Sequence, residues 1–157
     1  MLSFALYAAV VSSPPIAAPS LVGAWTVKVQ FTTGAFASVK DLELMMVFNQ
    51  GGTMVESSNY DGAPPVPPAY GIWRKTGKNR FESKYVFYNT KAPSKFEDIS
   101  GGGGWMPAGK GILLEKITIA PKGDTYKSTI TLKMFDEKGK PAGEVWKGAC
   151  SGVRMKF

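Results

Sequence analysis

The stretch "GAWTVKVQF", residues 23–31, decides the fold class. Apolar side chains recur at every second position: Trp25, Val27, Val29 and Phe31. The residues between them are Thr, Lys and Gln. Successive side chains of a β-strand point to opposite faces of the sheet, so this period of two indicates a strand with one buried and one solvated face. Such one-sided burial is typical of antiparallel sheets.

The same period of two continues along the chain, and no stretch has the spacing of an amphipathic helix. The predicted strands are residues 23–33, 40–49, 53–58, 70–75, 80–88, 111–120, 125–135 and 144–156. No connection holds a helix long enough for a parallel crossover. We therefore predict an all-β fold, an eight-stranded antiparallel up-and-down barrel over residues 21–157. A two-sheet sandwich is the competing architecture, but most of these turns are too short for its crossovers.

The composition excludes several classes of function. The chain has no histidine and one cysteine, Cys150, which removes Ser-His-Asp and Cys-His catalysis, an internal disulfide and a thiolate zinc site. We therefore predict neither a metal nor a cofactor. The net charge is +7, and residues 71–157 carry 17 basic and 8 acidic side chains. Because the lysines alternate with apolar residues and form no long run, they are expected on the outer wall, with no nucleic-acid partner.

The first 20 residues, "MLSFALYAAVVSSPPIAAPS", form a separate apolar segment. Its apolar stretch and following small residues are similar to a secretory signal, although no basic residue precedes them. The stretch is too short for a transmembrane helix, so no integral membrane segment is expected. Two interpretations stay open: a signal of a secreted or periplasmic protein, or an arm of a cytoplasmic protein that docks on the domain or on another copy in a homo-oligomer.

Strand parity predicts which side chains point into the barrel. One inward set is Phe81, Ser83, Tyr85 and Phe87, and a second is Tyr126, Ser128, Ile130, Leu132 and Met134. A third is Trp146, Gly148, Cys150, Gly152 and Arg154. The small residues of the third set are expected to leave space for a cavity. The longer connections should lie at the open end, with Tyr60, Trp105 and Met106 at its rim.

Two carboxylates share the inward parity, Glu56 and Glu115. Burying a carboxylate is costly unless it is paired, hydrogen-bonded or protonated. Either a bulge turns each one outward or an ion pair with Arg74 or Arg154 neutralises it, or else one of them orients a ligand or exchanges a proton with it. The candidate ligand-binding side chains are apolar or aromatic: Met46, Tyr70, Tyr85, Phe87, Trp105, Tyr126 and Trp146.

Gly23-x-Trp25 at the start of an eight-stranded meander resembles the lipocalins and the wider calycin group. The resemblance implies that Trp25 plugs the closed end of the barrel and that Arg154, in "SGVRMKF", packs over its ring as a cation–π pair. The single cysteine departs from the usual lipocalin disulfide. Avidins share the Gly-x-Trp start and remain an alternative. The phrases "GGTMVESS", "YGIWRKTG" and "WKGACSGVRM" resemble short exported bacterial proteins with lipocalin-like barrels.

The fold and this resemblance imply a binding barrel for a small hydrophobic or aromatic ligand. The first alternative is a cofactor-free cyclase or isomerase of the allene oxide cyclase-like type, with Glu115 or Glu56 as the catalytic group. The second is a structural subunit in which the N-terminal arm docks on a neighbouring copy.

Overall fold

Eight strands run in sequence order around a closed barrel, each antiparallel to its neighbours, in the computed structural model. The structure describes residues 19–60, 67–95, 97–101 and 104–157. The strands are β1 Gly23–Phe31, β2 Leu42–Phe48, β3 Thr53–Ser58, β4 Ala69–Lys75, β5 Arg80–Lys91, β6 Met106–Ile119, β7 Thr125–Phe135 and β8 Trp146–Arg154. Because β1 pairs with both β2 and β8, the sheet of these eight strands closes on itself. The predicted all-β up-and-down barrel is confirmed, and the sandwich is wrong.

The largest difference from the predicted strands is at the β5–β6 hairpin. Residues 89–109 were expected to form a loop, but β5 continues to Lys91 and β6 begins at Met106. These two residues pair with each other beyond a register shift between Tyr88 and Thr90. The irregularity breaks the alternation that predicts a strand, so the period of two does not extend into this part of the hairpin. The other predicted ends differ slightly, as in β8, expected over 144–156.

The helical content is small and lies at one end of the barrel. A single 3-10 turn, Ala35–Ser38, follows β1, and one α-helical turn, Glu97–Ser100, lies between β5 and β6. No helix in the described part of the chain is long and apolar enough to cross a membrane. Of the predicted signal or docking arm, residues 1–20, all but Pro19 and Ser20 lie outside the described residues.

The core fills the barrel with the side chains of the predicted inward parity. Phe81, Ser83 and Tyr85 are buried on β5, and Tyr126, Ser128, Ile130 and Leu132 on β7. Several strands contribute to one continuous apolar cluster that runs from Leu21 below the barrel to Leu42 near its other end. The period of two therefore predicted the interior of these strands correctly.

The inward glycines do not create the expected free space. A Cβ atom at Gly152 would lie 2.2 Å from the ring of Tyr126, and one at Gly111 would lie 2.2 Å from the ring of Phe87. Aromatic side chains of neighbouring strands thus cover the glycines and occupy the volume that the small residues leave, a known device of β-sheets. The prediction that small residues of β8 open a cavity in the middle of the barrel is wrong: Tyr126 fills the space at Gly152, the backbone of β1 and Ile130 fill it at Gly148, and neither glycine lines a cavity in the described part of the chain.

Replacing Gly152 with alanine should lower the free energy of unfolding by about 1–3 kcal/mol, the usual cost of overpacking a core. The cause is the collision with the Tyr126 ring. In a Tyr126→Leu background the same replacement should lower the free energy of unfolding much less. Urea unfolding of the parent, the two single variants and the double variant measures the difference. Gly104→Ala is the control, since an added Cβ there would meet no atom within 4 Å among the described residues, its chain neighbours aside. An equal loss of unfolding free energy on Gly152→Ala in both backgrounds would show that contact with the Tyr126 ring is not the cause.

Trp25 closes one end of the barrel. Its side chain is fully buried, and its indole N–H donates to the carbonyl of Leu21 at 2.9 Å. The guanidinium of Arg154 lies over the indole, with Cζ 4.2 Å from the ring centroid, as the resemblance to lipocalins implied. Gly23 has φ 130°, and a Cβ there would lie 2.7 Å from Arg154 Nη1. Glycine at position 23 therefore lets the chain pass closely beneath the guanidinium.

The long connections all begin and end at the opposite end of the barrel. They comprise residues 32–41, 59–68, 92–105 and 136–145, whereas the connections beside Trp25 are the short turns 49–52, 76–79 and 120–124. The barrel thus has a closed end, sealed by Trp25, and an open end, as expected.

Candidate functional site

A cavity of about 340 Å³ lies at the open end of the barrel. Its wall is mainly apolar and comes from most of the strands, with Val29, Phe31, Leu42, Leu44, Ala69, Tyr85, Phe87, Leu113 and Leu132. Phe36, Tyr60 and Pro67 line it from the connections. The volume lies at the lower end of the range of small-molecule sites, roughly 300–1,000 Å³.

Phe36 anchors an aromatic group at the mouth of the cavity. Its ring centroid lies 5.7 Å from that of Phe31, 5.6 Å from Tyr60 and 5.2 Å from Trp146, each in an edge-on arrangement. Gly34, with φ 83°, precedes the 3-10 turn, and its missing side chain leaves room for the Trp146 ring. Trp146 therefore supports Phe36 from behind and is not itself among the lining side chains.

Glu56 is the one carboxyl that lines the cavity among the described residues. Glu56 as a whole is 7% exposed. No hydrogen bond or ion pair to its carboxyl is found within the described part of the chain. Burial, and secondarily the charge of Glu115, raise the pKa of Glu56 to about 7. Its ionised and protonated forms are therefore both populated near neutral pH.

Glu115 lies in the core and does not line the cavity. Its two carboxyl oxygens accept hydrogen bonds from Ser128 Oγ at 2.6 Å and Ser83 Oγ at 3.2 Å. Burial raises the pKa of Glu115 to about 7, although both hydrogen bonds act in the opposite direction. The sequence suggested a bulge or an arginine partner, and the structure shows neither. Arg74 pairs with Glu82 instead.

The other predicted ligand-binding residues lie at two different depths in the barrel. Tyr85 and Phe87 line the cavity, whereas Met46 and Tyr126 lie in the core outside its lining. The Tyr126 hydroxyl donates to Met46 Sδ at 3.5 Å, and its ring packs edge-on against Trp25 at 5.0 Å. Tyr126 thus joins the core to the Trp25 plug.

Two predicted ligand contacts lie elsewhere. Tyr70 is 65% exposed on the outer wall, because the neighbouring Ala69 takes the inward position on β4. A side chain on this face does not reach a ligand inside the barrel. Trp105 is half-buried just before β6, and neither it nor Met106 lines the cavity, while Tyr60 does lie at the predicted rim.

Thr90 and Phe36 are lining residues that the sequence did not single out. Thr90 Oγ1 is buried and has no hydrogen-bond partner among the described residues. It follows the register shift in β5, for which the sequence held no signal. Phe36 was detectable as an aromatic residue in a connection assigned to the open end. Leu42 and Leu44 were detectable from the alternation of β2.

The described residues contain no group of three or more His, Cys, Asp or Glu that could hold a metal ion. The closed antiparallel barrel of eight strands is compatible with a lipocalin-like fold. No protein-family model and no curated protein matches the chain.

Proposed function

We propose that the protein binds a small, largely apolar ligand inside the barrel. The observation that carries the proposal is the cavity at the open end, whose wall is formed by aliphatic and aromatic side chains of at least six strands. Removing apolar surface of a ligand from water contributes roughly 25 cal/mol per Å². An apolar wall of this kind is what a small-molecule site uses for affinity.

A few polar groups at the same cavity are available to orient the ligand. Glu56 has no hydrogen-bond partner in the described part of the chain, and Thr90 Oγ1 is buried without one. Buried polar groups are normally hydrogen-bonded, so each favours a ligand that offers it a partner. Asn89 and Ser58 also line the cavity near its mouth.

Binding is favoured over the cyclase or isomerase alternative by the position of Glu115. A general acid or base must come within hydrogen-bond reach of the reacting group. Glu115 does not line the cavity, and Ser83 and Ser128 hold its carboxyl within the core. That leaves Glu56 as the one carboxyl positioned to meet a ligand among the described residues.

The test is a substitution that fills the cavity. Ala69 lines the cavity and is 2% exposed, so Ala69→Leu adds a larger side chain directly to its wall. We expect this variant to bind the neutral fluorescent probe N-phenyl-1-naphthylamine at least about tenfold more weakly, a loss of about 1.4 kcal/mol. Fluorescence titration measures the affinity.

The matched control is Ala149→Leu, the same replacement at an exposed position on the outer wall of β8. It should bind the probe as the parent does. Probe affinity that is unchanged in Ala69→Leu, or equally reduced in both variants, would place binding outside the cavity.

A further inference from the structure

We propose that the ligand carries a protonated amine and that this cation binds the carboxylate of Glu56; the inference rests on the proposed binding function. The charges of the interior, the unpaired carboxyl and the apolar wall around it support this class of ligand.

Among the described residues, every titratable side chain that is buried in the barrel is an acid. The set consists of Glu56, Tyr85, Glu115, Tyr126 and Cys150. Burial raises the pKa of Tyr85, Tyr126 and Cys150 further, so these three are neutral at physiological pH. The inward residues of β1, β2 and β4 that line the cavity carry no titratable group; they are Val29, Phe31, Leu42, Leu44 and Ala69. Within the described residues, Glu56 is therefore the one charged side chain that lines the cavity, and Glu115, in the core, is the other carboxyl in the interior.

No basic side chain balances these carboxyls. The residues that line the cavity include no Lys or Arg. Arg154 lies at the closed end, over Trp25, and Arg74 pairs with Glu82 on the outer wall. The residues outside the described ranges contain no Lys, Arg or His in the sequence. The side chains that line the cavity therefore offer Glu56 no cation, and a bound molecule can supply one.

Glu56 and Glu115 differ in the hydrogen bonds that their carboxyls accept. Glu115 accepts two serine hydrogen bonds, whereas Glu56 faces the cavity with no partner among the described residues. A buried carboxylate is costly unless it is paired and hydrogen-bonded. An ammonium group offers both the opposite charge and three N–H donors. An anionic ligand would instead meet repulsion from both glutamates.

The ionisation of Glu56 gives the pairing a defined pH dependence. The pKa of Glu56 is raised to about 7, so its carboxylate form becomes dominant as the pH rises above that value. Affinity for an amine should therefore increase from pH 5.5 to pH 8, whereas affinity for a neutral alcohol should not. Near pH 7, amine binding should also release a proton from Glu56, because a bound cation lowers the pKa of the carboxyl.

The experiment compares three probes that share one apolar body: 2-phenylethylamine, 2-phenylethanol and 3-phenylpropionate. Isothermal titration at pH 8 should give the amine at least about tenfold higher affinity than the alcohol, with the carboxylate weakest. Glu56→Gln keeps the shape of the side chain and should bring the amine and the alcohol to similar affinity. Glu43→Gln, on the outer wall of β2, is the matched control and should keep the preference.

The possible results separate this inference from the proposed function. If the alcohol and N-phenyl-1-naphthylamine bind but the amine shows no preference, or if the preference survives in Glu56→Gln, the cation pairing is overturned while the binding cavity stands. If none of the four probes binds the parent protein, the proposed function itself fails.

Discussion

Replacing Arg154 with alanine should lower the free energy of unfolding by about 2–4 kcal/mol. The guanidinium lies 4.2 Å from the centroid of Trp25 and donates to the carbonyls of Gly123 at 2.7 Å and Val22 at 2.6 Å, and also to Ser20. One side chain thus connects β8 to the segment before β1 and to the β6–β7 turn. Its removal exposes the indole and leaves three carbonyls without this donor.

For a chain of this size the loss corresponds to a fall in Tm of roughly 5–15 °C, which calorimetry would measure. Arg74→Ala is the matched control. Arg74 makes an ion pair with Glu82 at 2.8 Å on the outer wall, and exposed pairs of this kind contribute at most about 1 kcal/mol. Because the plug lies at the end opposite the cavity, Arg154→Ala should keep the probe affinity of the parent. Equal Tm values for both arginine variants would contradict the role of the plug.

Glu115→Gln should make the protein more stable above pH 7, by about 2–3 kcal/mol. Burial raises the pKa of Glu115 from 4.5 to about 7. Between these values the folded state binds more protons than the unfolded state, so the stability of the parent falls as the pH rises. The fall begins near the unfolded pKa and ends above the folded one. Glutamine is neutral throughout and keeps a carbonyl oxygen for Ser83 or Ser128.

Urea unfolding across pH 4 to 9 measures this prediction, and pH 4 supplies the internal control. There the carboxyl of Glu115 is protonated in the folded state and mostly protonated in the unfolded state, so the gain from Glu115→Gln should nearly vanish. Part of the pH dependence should persist in the variant, because the pKa of Glu56 is also raised to about 7. A variant that is less stable than the parent at pH 8 would show that the carboxylate stabilises the core.

The parts of the fold that the sequence predicted are those set by short-range alternation. In β1 from Trp25 to Phe31, and in β7 apart from the inward Ser128, apolar and polar residues alternate up to Met134, so strand, face and burial all follow from the period of two. The Trp25 plug also followed from its position and from the resemblance of Gly-x-Trp to lipocalins. The alternation depends on residues that are close in sequence, and the plug depends on the pairing of Trp25 with Arg154 that the resemblance implies.

The features that were missed depend on contacts between strands. In β4, "AYGIWRK", apolar residues lie on both faces, so the parity of Tyr70 was not defined by its neighbours. The space left by Gly152 depends on the ring of Tyr126 in the adjacent strand. Glu56 and Glu115 share the inward parity, and only their different depths in the barrel decide which one lines the cavity.

Methyl NMR during a titration with N-phenyl-1-naphthylamine is the most direct test of ligand binding in the barrel. Leu42, Leu44, Leu113 and Leu132 line the cavity, Leu114 is 44% exposed on the outer wall and Leu21 is buried at the closed end. Shift changes concentrated at the four cavity leucines, with Leu114 and Leu21 little affected, are the predicted result. Changes at Leu114 without changes at the cavity leucines would contradict binding inside the barrel.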